Sequence, residues 1–102
     1  MTTLGIELAV PAATAASVDG DALVIELADG RTISAPLVWY TRLLHATEAE
    51  RAYIRLIGKG RGLHWPDVEE DISVESVVRG QPSMENAASL KRWLTARSGS
   101  ES

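Results

Sequence analysis

Between two Asp-Gly pairs, the stretch ASVDGDALVIELADGRTISAPL (residues 16–37) alternates apolar and polar positions. Leu23, Ile25 and Leu27 fall on one face of an extended chain, with Val24 and Glu26 on the other. Asp19-Gly20 and Asp29-Gly30 supply the positive φ angles of tight hairpin turns, and Ile33 and Ala35 resume the alternation. The pattern predicts a three-stranded antiparallel meander over roughly residues 12–18, 22–28 and 31–35. Pro36 ends it, because proline cannot donate to a ladder.

The period then lengthens. Pro36 suits the first turn of a helix through LVWYTRLLHA, whose Leu37, Trp39, Tyr40, Leu43 and Leu44 leave little polar surface. Thr47 and Glu50 form a capping-box pattern, and Ala49, Ala52, Tyr53 and Leu56 share one face of the helix it starts, opposite Arg51 and Arg55. Three glycines in GKGRG break that helix and predict a hairpin or bulged loop between two short strands, the second of which ends at His64-Trp65 and closes the sheet. DISVESVVRG reads as a short helix with Ser73 at the N-cap, Glu75 in the first turn, Gly80 past its end, and Ile72 stapled onto Val77. Beyond Pro82, Ala87, Leu90 and Leu94 mark a tail helix with Trp93 beside the stripe. The expected fold class is α+β: three N-terminal strands plus one or two later short strands, packed with two to three helices and a C-terminal tail helix. Residues 1–80 form a single domain in this reading, 81–97 the tail helix and 98–102 a disordered end.

Composition narrows the function classes. At 102 residues the chain supports one core, and with three Trp, two Tyr and no Phe that core is mostly aliphatic. A net charge of −4 argues against a whole-domain footprint for nucleic acid or anionic membrane. The absence of cysteine excludes disulfides, thiolate zinc sites and cysteine nucleophiles. The opening MTTLGIELAVPAATAAS lacks the positive region of a secretory signal, and Glu7 and Pro11 interrupt its apolar run, so the expected location is the cytoplasm.

The chemistry-bearing residues concentrate in HWPDVEED, where His64 precedes Asp67, Glu69, Glu70 and Asp71. A metal or catalytic centre needs such groups to converge from separated elements; the spacing fits no EF-hand, and no second histidine is near. The expectation is therefore an acidic turn in water, part of it favoured by the following helix N-terminus, with no metal and no cofactor. GKGRG resembles an anion nest, but it lacks the helix N-terminus that anchors phosphate in the standard motifs, so a hairpin turn is favoured. Arg42, Arg51, Arg55, Lys59 and Arg61 lie within 20 positions, and on a shared face they would make the protein a dipole against the acidic 67–71 segment. Trp39 and Trp65 are read as core, whereas Trp93 either folds back onto the domain or anchors another chain.

The combination DGRTISAPLVWYTRLLHATEAERAYIRLIGKGRGLHWPDVEEDISVESVVRG resembles the small prokaryotic family catalogued as domain of unknown function 2442. An Asp-Gly-Arg hairpin, a Pro-Leu-x-Trp helix, a Thr-Glu-x-x-Arg helix and Gly-Leu-His-Trp-Pro-Asp leading to Asp-Ile-Ser carry the likeness across residues 18–80. The resemblance implies a small α+β domain without agreed catalytic residues. Some members are followed by a helix-turn-helix segment, for which this single tail helix is too short, and others are encoded beside a second small protein in a toxin-antitoxin-like arrangement.

The resulting expectation is a non-enzymatic interaction or regulatory module, antitoxin-like, that binds a protein partner, with homo-oligomerisation open. Its contact residues would be Arg51, Arg55, Lys59, Arg61, Asp67, Glu69, Glu70 and Trp93. The alternatives are a DNA-binding accessory domain touching phosphates with Lys91, Arg92 and Arg97, and a small-molecule or metal enzyme centred on His64 and Asp67.

Overall fold

Both Asp-Gly pairs close hairpins. The computed structural model describes residues 10–100, with side chains described as far as Arg97; the opening segment weighed above as a leader falls largely outside them, at residues 1–9. Strands β1 (Ala13–Asp19), β2 (Ala22–Leu27) and β3 (Thr32–Pro36) form an antiparallel sheet in the order β1-β2-β3. Gly20 and Gly30 hold φ of +61° and +94° at the two turns, a region where a side chain is strained. Ile25 pairs with Ala16 and Ile33, so the register keeps Leu23, Ile25 and Leu27 on the core face, all three essentially buried.

The segment after Pro36 is less helical than its apolar run implies. A 3₁₀ turn over Leu37–Trp39 ends at Tyr40, whose φ of −126° and ψ of 89° interrupt the path before the single-turn helix α1 (Thr41–Leu44). Leu37, Tyr40 and Leu43 face the core, while Val38 and Leu44 turn outward. Helix α2 (Glu48–Ala52) begins at the expected capping box: Thr47 accepts from the Glu50 amide, and the Glu50 carboxylate accepts from the Thr47 amide.

That helix stops four residues short of Leu56, which the helical spacing had placed on its buried face. Residues 55–57 instead form strand β4 (Arg55–Ile57), paired with β5 (Gly62–Trp65), and β5 in turn pairs with β6 (Glu70–Ser73). The second half therefore holds three strands in a separate sheet, where one or two were expected. The physical reason is the GKGRG hairpin: with Gly58, Lys59 and Gly60 all at positive φ, Ile57 comes opposite Gly62 and β4 finds its hydrogen bonds on β5. Gly60 also joins the two sheets. Its carbonyl accepts from the Ala13 amide at 2.7 Å, and a Cβ there would stand 2.5 Å from the Ala13 carbonyl oxygen, so the approach requires glycine.

Helix α3 (Val74–Val78) is capped by Ser73, whose hydroxyl accepts from the Ser76 amide, and Ile72 and Val77 are both buried as the staple requires. Helix α4 (Ala87–Ser100) is the tail helix; its backbone runs on through residues expected to be disordered, and residues 101–102 lie outside the described ones. One hydrophobic cluster draws on both sheets, on the 37–46 segment and on Trp93. Trp65 and Val68 are fully buried within it.

Candidate functional site

The register of the second sheet decides what becomes of the acidic run. Leu63 pairs with Ile72 and Trp65 with Glu70, so Glu70 shares the core-facing side with three apolar residues. His64 pairs with Asp71 on the other face, where Arg55 is the next partner across the sheet. The four-residue turn 66–69 between the strands buries Val68 and places Glu69 at φ +54°. The acidic turn was expected to lie wholly in water. Glu70 departs from that expectation because a strand, not a turn, begins at this residue and its parity points the side chain inward.

The consequences for Glu70 are electrostatic. Burial pushes its carboxyl above the ordinary glutamate range, with the charges of Glu85 and Asp71 adding to the effect and the Arg42 charge and the Asp71 amide opposing it. Oε1 accepts from the Asp71 amide, but Oε2 is buried without a hydrogen-bond partner among the described residues. The Tyr40 hydroxyl is likewise buried and unpartnered, and burial, then the charge of Glu70, raises its pKa. Both residues line a cleft of about 560 Å³ bounded by Ile72, Ser73 and Ser76 on one side and by Gly80–Met84 on the other. Its outer wall is fixed by the Gln81 amide donating to Ser76 and the Ser83 amide donating to the Trp39 carbonyl.

Nothing in the residue spacing marked Tyr40 as more than core, and only the β5–β6 register reveals that Glu70 is enclosed. His64, by contrast, makes a plain cross-strand pair from Nδ1 to Asp71 on a face open to solvent. Asp67 is exposed in the turn and does not meet it. Among the described residues no three His, Asp or Glu side chains are gathered to hold a metal.

The basic residues do not form one face. Arg51 turns inward and donates to the Leu43 and Leu44 carbonyls at 2.8 Å each, closing the C-terminal end of α1. Arg61 reaches the Val10 carbonyl at 3.0 Å. Arg55 and Lys59 are exposed, beside the outward-turned Tyr53, Leu56 and Ile57 on and before the edge strand β4. Glu69 is exposed as well, and its carbonyl, with that of Val68, accepts from Arg42.

Trp93 lies against its own domain, 9% exposed. The Arg42 and Arg97 guanidiniums stand 5.2 and 4.7 Å from its ring centre. Arg42 also binds both Glu85 oxygens, and Arg97 binds both Glu50 oxygens at 3.0 and 3.1 Å. The Arg42 hydrogen bonds hold the Glu85 carboxyl below its usual range, and those of Arg97 do the same for Glu50. Two Arg-Glu forks and one indole thus bind the tail to the body. Arg97, offered by the sequence as a phosphate contact, is committed to this clasp, whereas Lys91 and Arg92 remain exposed.

The model of the family described as protein of unknown function, DUF2442, matches residues 13–83. The chain belongs to this family. Nearly the whole cleft, from Tyr40 to Ser83, lies within the DUF2442 segment, while Glu85, Trp93 and Arg97 of the clasp lie beyond it. Among solved structures the DUF2442 chain is similar to a protein of unknown function from Rhodospirillum rubrum ATCC 11170, with a TM-score of 0.68 and 24% identity over 76% of this chain and 95% of that one. That likeness is one of fold. No curated protein matches the chain. No helix among the described residues is long and apolar enough to cross a membrane.

The state of Glu70 has a measurable effect on stability. Its folded pKa lies above the unfolded value of 4.5, so the group favours folding while protonated. That contribution is full below the unfolded pKa and is lost as pH rises through the folded one. Glu70→Gln keeps an acceptor for the Asp71 amide and removes the enclosed charge. It is expected to gain in stability on the wild type as pH rises from about 4 to about 8, read by thermal melts at each pH. A stability difference that stays constant across the range would contradict an enclosed, ionising carboxyl.

Proposed function

We propose that this DUF2442 chain is a non-enzymatic interaction module that docks an extended, acidic segment of a partner protein along the outer edge of β4. The observation that supports the reading is the state of that strand. Among the described residues β4 pairs only with β5, all three of its residues are exposed, and Leu56 and Ile57 are about two-fifths open to water beside Tyr53. β4 is short and carries Arg55, two of the devices that blunt an edge, but Leu56 and Ile57 still present apolar side chains on a strand edge that can template another strand. Main-chain pairing supplies affinity in this mode, and side-chain pockets supply selectivity.

Charge selects the occupant. Arg55 on the strand and Lys59 at the hairpin tip are exposed cations, in a chain of net charge −4, so a segment that alternates acidic and apolar residues complements the edge. Arg51 and Arg61 are engaged instead with the Leu43, Leu44 and Val10 carbonyls. Trp93 and Arg97 serve the module by clasping its own tail.

The test compares the wild-type chain with the double reversal Arg55→Glu/Lys59→Glu as bait in extracts of the native host, with quantitative mass spectrometry. A captured protein is expected to fall by at least about tenfold with the reversal, while the melting temperature stays within a few degrees because both positions are exposed. Equal capture by both baits overturns the reading. Self-association abolished by the same reversal would assign the edge to a second copy and also overturn it.

A further inference from the structure

The cleft lies beside β6, at the opposite edge of the second sheet from β4, and its chemistry is independent of any strand docking. We infer that it binds a small organic cation, an amine or amidine on a compact apolar body, whose N–H groups meet Glu70 Oε2 and Tyr40 Oη. Each of the two buried polar atoms without a partner among the described residues costs the desolvation that a hydrogen bond would have offset. Here both belong to side chains lining the same cleft. Its volume of about 560 Å³ falls in the range of small-ligand sites.

The sign of the charge follows from the surroundings. The Glu70 side chain lines the cleft, Asp71 contributes to its wall while its carboxylate pairs with His64 on the other face, and Glu85 is close enough to act on Glu70. The cation facing this group is Arg42, already bound to both Glu85 oxygens. The Ser73 and Ser76 hydroxyls are occupied with each other's backbone, so they form wall and not recognition. An anion would meet the Glu70 carboxylate, whose Oε2 has no hydrogen-bond partner among the described residues. A cation would supply the partner that Glu70 lacks, and Ile72, Pro82 and Met84 provide apolar surface for the ligand body. Both orphan atoms are shut from water in the unliganded chain, and rotation of the Glu70 carboxylate about its broad χ3 well turns Oε2 toward the cleft.

The experiment is an NMR titration of the full chain at neutral pH with benzylamine, agmatine, benzyl alcohol and benzoate. The two amines are expected to shift amides of residues 70–73 and 80–84 saturably, with affinities at least about tenfold above the alcohol and the acid. Glu70→Gln, which should fold at least as well as the wild type, is expected to lose about tenfold in amine affinity. Tyr40→Phe is expected to lose several-fold and provides a second reading if the first variant misbehaves, while Asp67→Asn on the exposed turn keeps wild-type affinity. Amine affinity should also fall as the solution is acidified and Glu70 becomes neutral. Equal response to all four probes, shifts centred on Asp67 and Glu69, unchanged binding by Glu70→Gln, or no saturation with either amine by about 10 mM overturns the inference. Tighter binding of Nα-acetyllysine methylamide than of the free amines would reassign the cleft to a peptide side chain and overturn it equally.

Discussion

Replacing Trp65 with alanine is expected to remove about 3–5 kcal/mol of folding free energy. The indole is fully buried in the shared core, and its Nε1 donates to the Arg51 carbonyl at 3.1 Å. Truncation therefore opens a cavity and also strips a carbonyl of its donor. A domain of this size has roughly 5–15 kcal/mol in total, so the variant should stand near the limit of folding. Urea unfolding measures the loss, and Trp65→Phe separates its parts. Phenylalanine keeps most of the buried area and loses the hydrogen bond, so it should cost clearly less than alanine. A loss below about 1 kcal/mol for alanine would mean that the two sheets do not share the core that Trp65 fills.

The second large effect is expected at Arg42. Its guanidinium binds Glu85, reaches the Val68 and Glu69 carbonyls and stacks on Trp93, and its side chain is one-fifth exposed. Arg42→Ala leaves Glu85, itself one-tenth exposed, without its counter-charge and leaves Glu70 facing two other carboxylates. We expect a cost of about 1–3 kcal/mol, because removing one member of a partly buried, hydrogen-bonded pair leaves the other charge short of partners. A double-mutant cycle with Glu85→Gln should show a coupling of about 1–3 kcal/mol, since Gln no longer needs the cation. The sign with pH is fixed by Glu85, whose folded pKa is depressed. The pair's contribution is complete above the unfolded value of 4.5 and is lost as pH falls through the folded one. Additive single effects at neutral pH would show that the fork carries no coupling.

These two residues also show what the sequence revealed and what it withheld. The first meander was legible because alternation and two Asp-Gly turns agree, and Trp65 was legible as core because a mostly aliphatic domain buries its aromatics. The caps at Thr47 and Ser73 were legible for the same local reason: each hydroxyl satisfies an amide three residues away. A short strand on either side of the GKGRG glycines was legible too, but the start of β4 was not, since Ala49, Ala52, Tyr53 and Leu56 satisfy a helical spacing that the hairpin overrides. Glu70 was hidden for a different reason. Whether a strand residue faces core or water depends on register, and that register is set by a four-residue turn whose Glu69 adopts an uncommon conformation. The roles of Arg42 and Arg97 were invisible because their partners are 43 and 47 positions away. Trp93 was left between two fates, and the two guanidiniums beside it decide which one the structure takes.

The way the two meanders divide the chain bears on how the protein is made. Every strand of the first sheet lies before residue 37, while the second sheet begins at Arg55. On a ribosome the earlier hairpins emerge and can pair while Leu23, Ile25 and Leu27 still have nothing to cover them. The newborn chain thus carries an apolar ribbon through the time needed to synthesise its counterpart. Glu26 and Asp29, which contribute little to the finished core, then act as guards that keep nascent copies from sticking to one another.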